Sequence, residues 1–309
     1  MSLTKTLRPG LIQIRVLDLE ESVKFYTNII GLNEVGRTDD GRAMLKAYDE
    51  FDHHSVVLRE ADEAGLDYVA IKVQSPEILE ELAKATEEFG YAVDEVPANT
   101  DQPGFGKRYG FKLCTGHRIE LYAEVDQAEQ IPMLRNPDPW GDEMPRGMQA
   151  QRFDHLLLYG PGAAEAQRYF YDVLGMYAPE VCKNADGELV ATWLTGGMKA
   201  HDLAILEYPV PGKMHHFAFY LEDWNNIRLA ADIIGKNRIK LDIGPTRHAI
   251  TRGQTIYFFD PSGNRIETYA GGYAAYPDHP QRVWDFDEVG RGLFYYSGEL
   301  IPSFLEVVS

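Results

Sequence analysis

Arg118-Ile119-Glu120-Leu121-Tyr122-Ala123 returns 147 positions later as Arg265-Ile266-Glu267-Thr268-Tyr269-Ala270. The same offset matches Gly116 to Gly263 and Phe111 to Phe258. It also sets His54-Ser55-Val56-Val57-Leu58-Arg59-Glu60 against His201-Asp202-Leu203-Ala204-Ile205-Leu206-Glu207. With small shifts, Tyr68-Val69-Ala70-Ile71 matches His216-Phe217-Ala218-Phe219, and Leu11-Ile12-Gln13-Ile14 matches His155-Leu156-Leu157-Leu158. Self-similarity at one long period means that one domain is present twice. The expected organisation is a first copy over 1–125, a linker over 126–150, a second copy over 151–275 and a tail over 276–309. Pro132, Pro137, Pro139 and Pro145 mark the linker as non-periodic chain.

Each copy divides again. Leu11 to Val16 reads as a strand. Asp18 and Glu21 have capping-box spacing, and Leu19, Val23, Tyr26 and Ile30 share one helical stripe that Gly31 ends. Strands are expected at 43–48 and 55–59. The order then restarts, with a strand at 68–73 and a helix opened by Ser75-Pro76. That helix carries Ile78, Leu82, Ala85 and Phe89 on one stripe and ends at Gly90. The second copy repeats this, with strands at 153–159 and 215–221 and helices at 163–174 and 223–234 closed by Gly175 and Gly235. The fold expected is therefore α+β: four modules, each one strand, one helix and about three strands.

Composition narrows the function. The 309 residues are 44% hydrophobic and 25% charged, as in a folded globular protein, and no apolar run reaches the ~18 residues of a membrane helix. The first ten residues hold Lys5, Arg8 and Pro9 and no apolar core, so a cytoplasmic protein without a secretory signal is expected. A net charge of −18 repels phosphate backbones and anionic lipid, which argues against nucleic-acid and membrane partners. Two cysteines, Cys114 and Cys182, form neither a disulfide framework nor a thiolate zinc site. Any metal must be held by imidazole and carboxylate.

The second copy has histidines where the first has none. His155 stands at the position of Leu11, and His216 at that of Tyr68. If the modules pack as pseudo-symmetric halves, both histidines converge on one cavity. Glu267 sits in an apolar strand where an unpartnered carboxylate would be unwelcome. Two imidazoles and one carboxylate are the ligand set of non-haem Fe(II) oxygenases, and with Fe(II) they leave a net charge of +1 that attracts an anionic ligand. Taken alone, each residue is a weak signal. Glu120 repeats Glu267 without histidine partners, so it is a relic or a structural carboxylate. His215 and His216 are adjacent, and regular strand alternation would send them to opposite faces, one of them to solvent.

Asp260-Pro261-Ser262-Gly263-Asn264 is a turn between two strands. A loop centred on Ser262 sets Tyr257 opposite Glu267, on the same sheet face. The matching residue in the first copy is Gly110. His201 has its counterpart His54 in the copy without the other histidines, so a structural role is open for it. His248, in Gly244-Pro245-Thr246-Arg247-His248, is either a solvated loop residue or part of a site.

These runs resemble the extradiol ring-cleaving dioxygenases of the vicinal-oxygen-chelate superfamily, most closely the catechol 2,3-dioxygenases. The resemblance is strongest in Phe153-Asp154-His155, Met214-His215-His216, Asp242 to His248, and Thr255 to Arg265 leading to Glu267; Arg8-Pro9-Gly10 and Val57 to Glu63 resemble the family's first domain. It implies four βαβββ modules that form two half-open barrels, metal in the second only. It further implies Fe(II), with Mn(II) as second choice, on His155, His216 and Glu267, and His201 as the acid–base histidine beside the oxygen site. His248 and Tyr257 would hydrogen-bond a bound catecholate. The implied reaction is extradiol cleavage of a catechol by O₂ to 2-hydroxymuconate semialdehyde, in a homotetramer. Leu11 departs from a histidine that relatives often carry there, at a position that ligates nothing. Two other readings on this fold remain: an O₂-independent metal-dependent isomerase or lyase, which usually takes a fourth ligand, and a metal-free ligand-binding protein. A hydroxyphenylpyruvate-type dioxygenase shares the triad but has no need of Tyr257 and His248. The tail stretch Gly292 to Tyr296 either packs on a neighbour or closes the barrel.

Overall fold

The computed structural model describes residues 4–129, 131–140 and 144–309. Residues 1–3 of the expected first copy, and 130 and 141–143 of the expected linker, lie outside the described residues. The first half runs β1 (Thr6–Val16), α1 (Leu19–Phe25), β2 (Asn33–Arg37), β3 (Ala43–Lys46), β4 (Val56–Glu60), β5 (Gly65–Val73), α2 (Pro76–Phe89), β6 (Val93–Val96), β7 (Arg108–Lys112) and β8 (Arg118–Tyr122). The second runs β9 (Arg152–Gly160), α3 (Ala163–Asp172), β10 (Tyr177–Lys183), β11 (Leu189–Thr195), β12 (Leu203–Glu207), β13 (Lys213–Tyr220), α4 (Trp224–Lys236), β14 (Leu241–Arg247), β15 (Gly253–Phe259) and β16 (Arg265–Gly271). The tail adds β17 (Arg282–Asp285), α5 (Val289–Leu293) and α6 (Pro302–Glu306).

Two mixed sheets result. Their strand orders are β2-β3-β4-β1-β5-β8-β7-β6 and β14-β15-β16-β13-β9-β12-β11-β10-β17. In each sheet the opening strands of the two modules pair antiparallel at the centre, and each pairs parallel with the last strand of its own module. β17 extends the second sheet, parallel to β10.

Local chemistry sets the helix ends. Asp18 accepts from Glu21 N at 2.8 Å, and Ser75 caps α2 with Pro76 in its first turn. Gly90 closes α2 at φ 116°, a conformation that costs other residues a steric clash. Two expectations shift. α4 passes through Gly235 to Lys236, because the apolar face of Ile227, Ala230 and Ile234 outweighs the modest helix penalty of one glycine. α2 buries Leu79, Leu82, Ala83 and Thr86, while Ile78, Ala85 and Phe89 are half-buried. Thr86 turns inward because its hydroxyl bonds Leu82 O at 2.7 Å and Tyr169 Oη at 2.8 Å.

The helices pack between the sheets in one continuous core. Tyr26 stacks on Phe217 with ring centroids 6.4 Å apart, and Tyr169 meets Phe111 at 5.1 Å. Alternation along β9 then decides what faces where: Leu156 and Leu158 enter this core, and His155, Leu157 and Tyr159 face the other side. Among the described residues no helix is long and apolar enough to cross a membrane.

Candidate metal centre

On the face of the second sheet turned away from the helices, three adjacent strands each present one ligand-type side chain: His155 from β9, His216 from β13 and Glu267 from β16. The register brings them together. Ala218 of β13 lies opposite His155 on one side and Glu267 on the other. The three donor atoms lie within 4.8 Å of one another, all buried. Glu267 Oε2 is 2.9 Å from His155 Nε2 and 3.0 Å from His216 Nε2.

Both imidazoles are oriented from behind. Asp154 Oδ2 sits 2.9 Å from His155 Nδ1, and Asp154 is itself held by Lys199 and Arg152. Such a partner fixes the tautomer and points Nε2 at the site. His216 is reached through its neighbour. His215 Nε2 lies 2.5 Å from the carbonyl of Phe304, and His215 Nδ1 is 2.7 Å from His216 Nδ1. With Nε2–H donated to the carbonyl, His215 Nδ1 accepts from His216 Nδ1–H, and His216 Nε2 keeps its lone pair for the site.

The expectation that one of these two histidines faces solvent is therefore corrected: both are buried. The β13–β9 register slips between Met214 and His216, and this bulge removes the strict alternation on which the expectation stood.

Charge explains the rest of the centre. Burial alone would raise the Glu267 carboxyl, but His155 and His216 hold it well below the usual carboxylate range. Burial would lower His155, but Glu267 and Asp154 lift it above its ordinary value. Burial depresses His216 to about 4 and His201 well below its ordinary value. The pocket thus sets imidazoles beside an ionised carboxylate whose Oε1 is buried with no hydrogen bond among the described residues, His248 Nε2 standing 3.6 Å away. A divalent cation supplies that charge and that partner, and the two-nitrogen, one-oxygen donor set suits iron or manganese. The residues fit such an ion.

Three more sequence-indicated residues surround the triad. In the β15–β16 hairpin Tyr257 pairs with Glu267, and its hydroxyl lies 2.8 Å from His248 Nε2. His248 Nδ1 makes a short bond to the carbonyl of Leu293, so Nε2 accepts the Tyr257 proton. On the opposite side the His201 ring lies 4.0 Å from the His155 ring, centroid to centroid. His201 is buried and has no hydrogen-bond partner among the described residues. Its nitrogens are uncommitted.

The cavity in front of the triad is polar at this end and apolar elsewhere, walled by Leu157, Val190, Ala191, Trp193, Ile250, Val289 and Leu293. The tail roofs it. Phe294 and Phe304 are buried around Tyr257, whereas Tyr295 and Tyr296 are 52% and 63% exposed. The Ser309 and Met214 backbones bond reciprocally at 3.0 and 2.9 Å, anchoring the chain end on β13. Sequence reasoning missed Asp154, His215 and Phe304 as parts of the centre. The adjacency of Asp154 to His155 and of His215 to His216 was the available signal; nothing local marks Phe304.

The chain is similar to known proteins over nearly its whole length. Residues 152–268 match the Glyoxalase/Bleomycin resistance protein/Dioxygenase superfamily, and residues 66–126 match the catechol 2,3-dioxygenase-like N-terminal domain. The metapyrocatechase of Pseudomonas sp. (strain CF600) is 41% identical over 304 residues, 98% of each chain. A solved 2,3-dioxygenase from Pseudomonas sp. KL28 superposes with a TM-score of 0.90 at 44% identity, covering 93% of this chain and 99% of its own. A manganese-dependent 2,3-dihydroxybiphenyl 1,2-dioxygenase from Geobacillus genomosp. 3 is 29% identical over 95% of this chain and 94% of its own. The chain belongs to the extradiol dioxygenases of this superfamily, in the metapyrocatechase family.

Proposed function

We propose that the protein cleaves catechol or a substituted catechol beside its hydroxyl pair with O₂, giving 2-hydroxymuconate semialdehyde or its substituted form. The observation that carries this reading is the meeting of His155, His216 and Glu267 at the polar end of a cavity otherwise lined by apolar side chains. His155, His216 and Glu267 would hold Fe(II), with Mn(II) as the alternative. When bound, such an ion acidifies catechol hydroxyls and provides one-electron chemistry toward O₂.

The protein's residues have separate tasks in this reading. The apolar walls and the tail exclude water from the ring and orient it with its oxygens toward the triad. Tyr257 and His248 form a relay at one side: the phenol hydrogen-bonds a substrate oxygen while His248 Nε2, 2.8 Å from it, accepts the proton passed on. His201, neutral and without a hydrogen-bond partner among the described residues, would take up the second catechol proton, hydrogen-bond a second reactant and return the proton as the ring opens. Both atoms of O₂ end in the product, so the reaction balances without another reductant.

The test is O₂ uptake by anaerobically Fe(II)-loaded protein given catechol, with visible absorbance recorded alongside. Stoichiometric uptake with a yellow conjugated product is the expected result. Bound Fe(II) with no uptake would overturn the reading in favour of O₂-independent isomerase chemistry or ligand binding. We further propose a cytoplasmic homotetramer, which light scattering after size-exclusion chromatography tests directly; a monomer in dilute solution would refute the assembly.

A further inference from the structure

The turn that carries His248 is sterically costly. Thr251 and Arg252 follow one another at φ 59° and 58°, and neither is glycine. Left-handed residues of this kind persist only where their surroundings hold them. The other amides of the turn bond backbone carbonyls, two of them a carbonyl of the tail. His248 N donates to Gly253 O at 2.9 Å, Arg252 N to Ile250 O at 2.7 Å, and the Ala249 and Ile250 amides both reach Gly292 O. The Thr251 amide is the exception. It donates across to β10, to Glu180 Oε1 at 2.8 Å.

Glu180 is buried and has no ion-pair partner among the described residues. Its carboxylate is satisfied by neutral donors from three separate segments. Besides Thr251 N, Oε1 accepts from Tyr273 Oη at 2.7 Å, and Oε2 accepts from Trp284 Nε1 at 2.6 Å. Tyr273 follows β16, and Trp284 lies on β17 of the tail. Trp284 and Ile250 close on Gly292, where an added Cβ would come within 3.3 Å of the indole and 2.8 Å of Ile250. A buried carboxylate is an expensive way to make three hydrogen bonds. No other side chain of its size offers acceptors alone to three donors at once, since glutamine would turn an N–H₂ toward one of them.

We propose that Glu180 is a positioning residue for His248. Through Thr251 it holds the left-handed turn, and through Tyr273 and Trp284 it ties that turn to the tail that roofs the cavity. His248 Nε2 thereby stays against the Tyr257 hydroxyl. The kinetic consequence rests on the ring-cleavage reading; the structural consequence does not.

The experiment pairs two readouts on Glu180→Ala and Glu180→Gln. Hydrogen exchange of the 247–254 segment reads the turn without turnover: about tenfold faster exchange is expected in Glu180→Ala, with β9, β13 and β16 and the bound-metal content unchanged. Glu180→Gln, whose carbonyl can still accept from Thr251, falls between. In the metal-loaded enzyme kcat drops by about tenfold in Glu180→Ala, and the Glu180→Ala/His248→Asn double variant loses no more than His248→Asn alone. Unchanged exchange, or losses that multiply in the double variant, would overturn the proposal. Should Glu180→Ala fail to fold, Trp284→Phe removes one donor and carries both readouts; it should shift both in the same direction by less, and no shift refutes the tie to the tail. A wild-type enzyme without catechol turnover would sink the ring-cleavage reading and leave the exchange result to decide Glu180.

Discussion

Where the second half of the molecule opposes Tyr257 to Glu267, the first half opposes Gly110 to Glu120. The frame around these pairs is the same. Ala70 lies between Leu11 and Glu120 as Ala218 lies between His155 and Glu267, and Gln13 faces Tyr68 as Leu157 faces His216. What differs is how the carboxylate is neutralised. Glu120 is gripped by two guanidiniums: Arg108 Nε, from a fully buried side chain, at 2.8 Å and Arg118 Nε at 2.9 Å. Gly110 leaves room for Arg118, since a Cβ there would come within 2.2 Å of its Nη2. The rest of the first site is committed as well. Gln102 joins His54, Gln13 and Tyr68 through bonds of 2.8–2.9 Å. One half therefore carries its cation as a side chain. The other presents two imidazoles and a carboxylate oxygen with no hydrogen bond among the described residues, and is ready for a cation from solution.

Replacing the carboxylate in each half tests this contrast most severely. Glu267→Gln removes the only anionic donor of the triad, so metal content should fall to background and turnover below detection. Glu120→Gln should leave metal per folded chain and turnover as in the wild type. Both are measured by metal analysis and O₂ uptake on the same preparations. Equal metal loss in the two variants would mean that the halves are not functionally distinct.

His201→Phe comes next. The ring touches the triad without being part of it, so the variant should retain metal and bind catechol. The loss of an acid–base group predicts a turnover reduced about 10²–10⁴-fold. Wild-type turnover would remove that role and return His201 to the structural reading its counterpart suggests.

Arg108→Leu addresses the first half. It leaves Glu120 buried with only the partly exposed Arg118, and breaking a buried pair from one side should cost about 3 kcal/mol of stability in urea unfolding. Turnover per folded molecule should be unchanged. A cost below about 1 kcal/mol would show that Arg108 does not stand in for a metal charge.

Much of this contrast was legible in the chain. The repeat offsets alone aligned Leu11 with His155 and Tyr68 with His216, and the turn residues at 260–264 fixed the hairpin register that places Tyr257 against Glu267. The offsets also paired Glu120 with Glu267, but they could not say what held Glu120. Arg108 reaches it across a strand pair, and that depends on side-chain direction in the folded sheet. The bulge at His215 and the return of Phe304 over the cavity were hidden for a related reason. A bulge leaves no compositional mark in Met214-His215-His216, and a tail contact spanning 89 positions has no local period. Regular alternation and repeats are readable because they are local or copied; irregular and long-range contacts are neither.

The smallest expected effect concerns the histidine common to both halves. His54 and His201 are both buried and neutral, but His54 is packed 5.0 Å from the Phe105 ring and bonded to Gln102, whereas His201 has no hydrogen bond among the described residues. Burial, with His53 and Arg108 adding to it, depresses His54 to about 3 despite the Gln102 bond. A histidine lowered in this way gives its full stabilisation above the unfolded value near 6.5 and loses it as pH falls from there toward 3, because the unfolded chain takes up the proton first. At pH 5.5, one unit into that window, the loss from this one group should be about 1.4 kcal/mol relative to pH 8. His54→Gln cannot titrate but can still hydrogen-bond. Its urea stability should therefore decline less between pH 8 and 5.5 than that of the wild type, by about that amount. Parallel pH profiles would mean that His54 protonates within the fold without penalty, and that the first site is more open to water than its packed hydrogen-bond network implies.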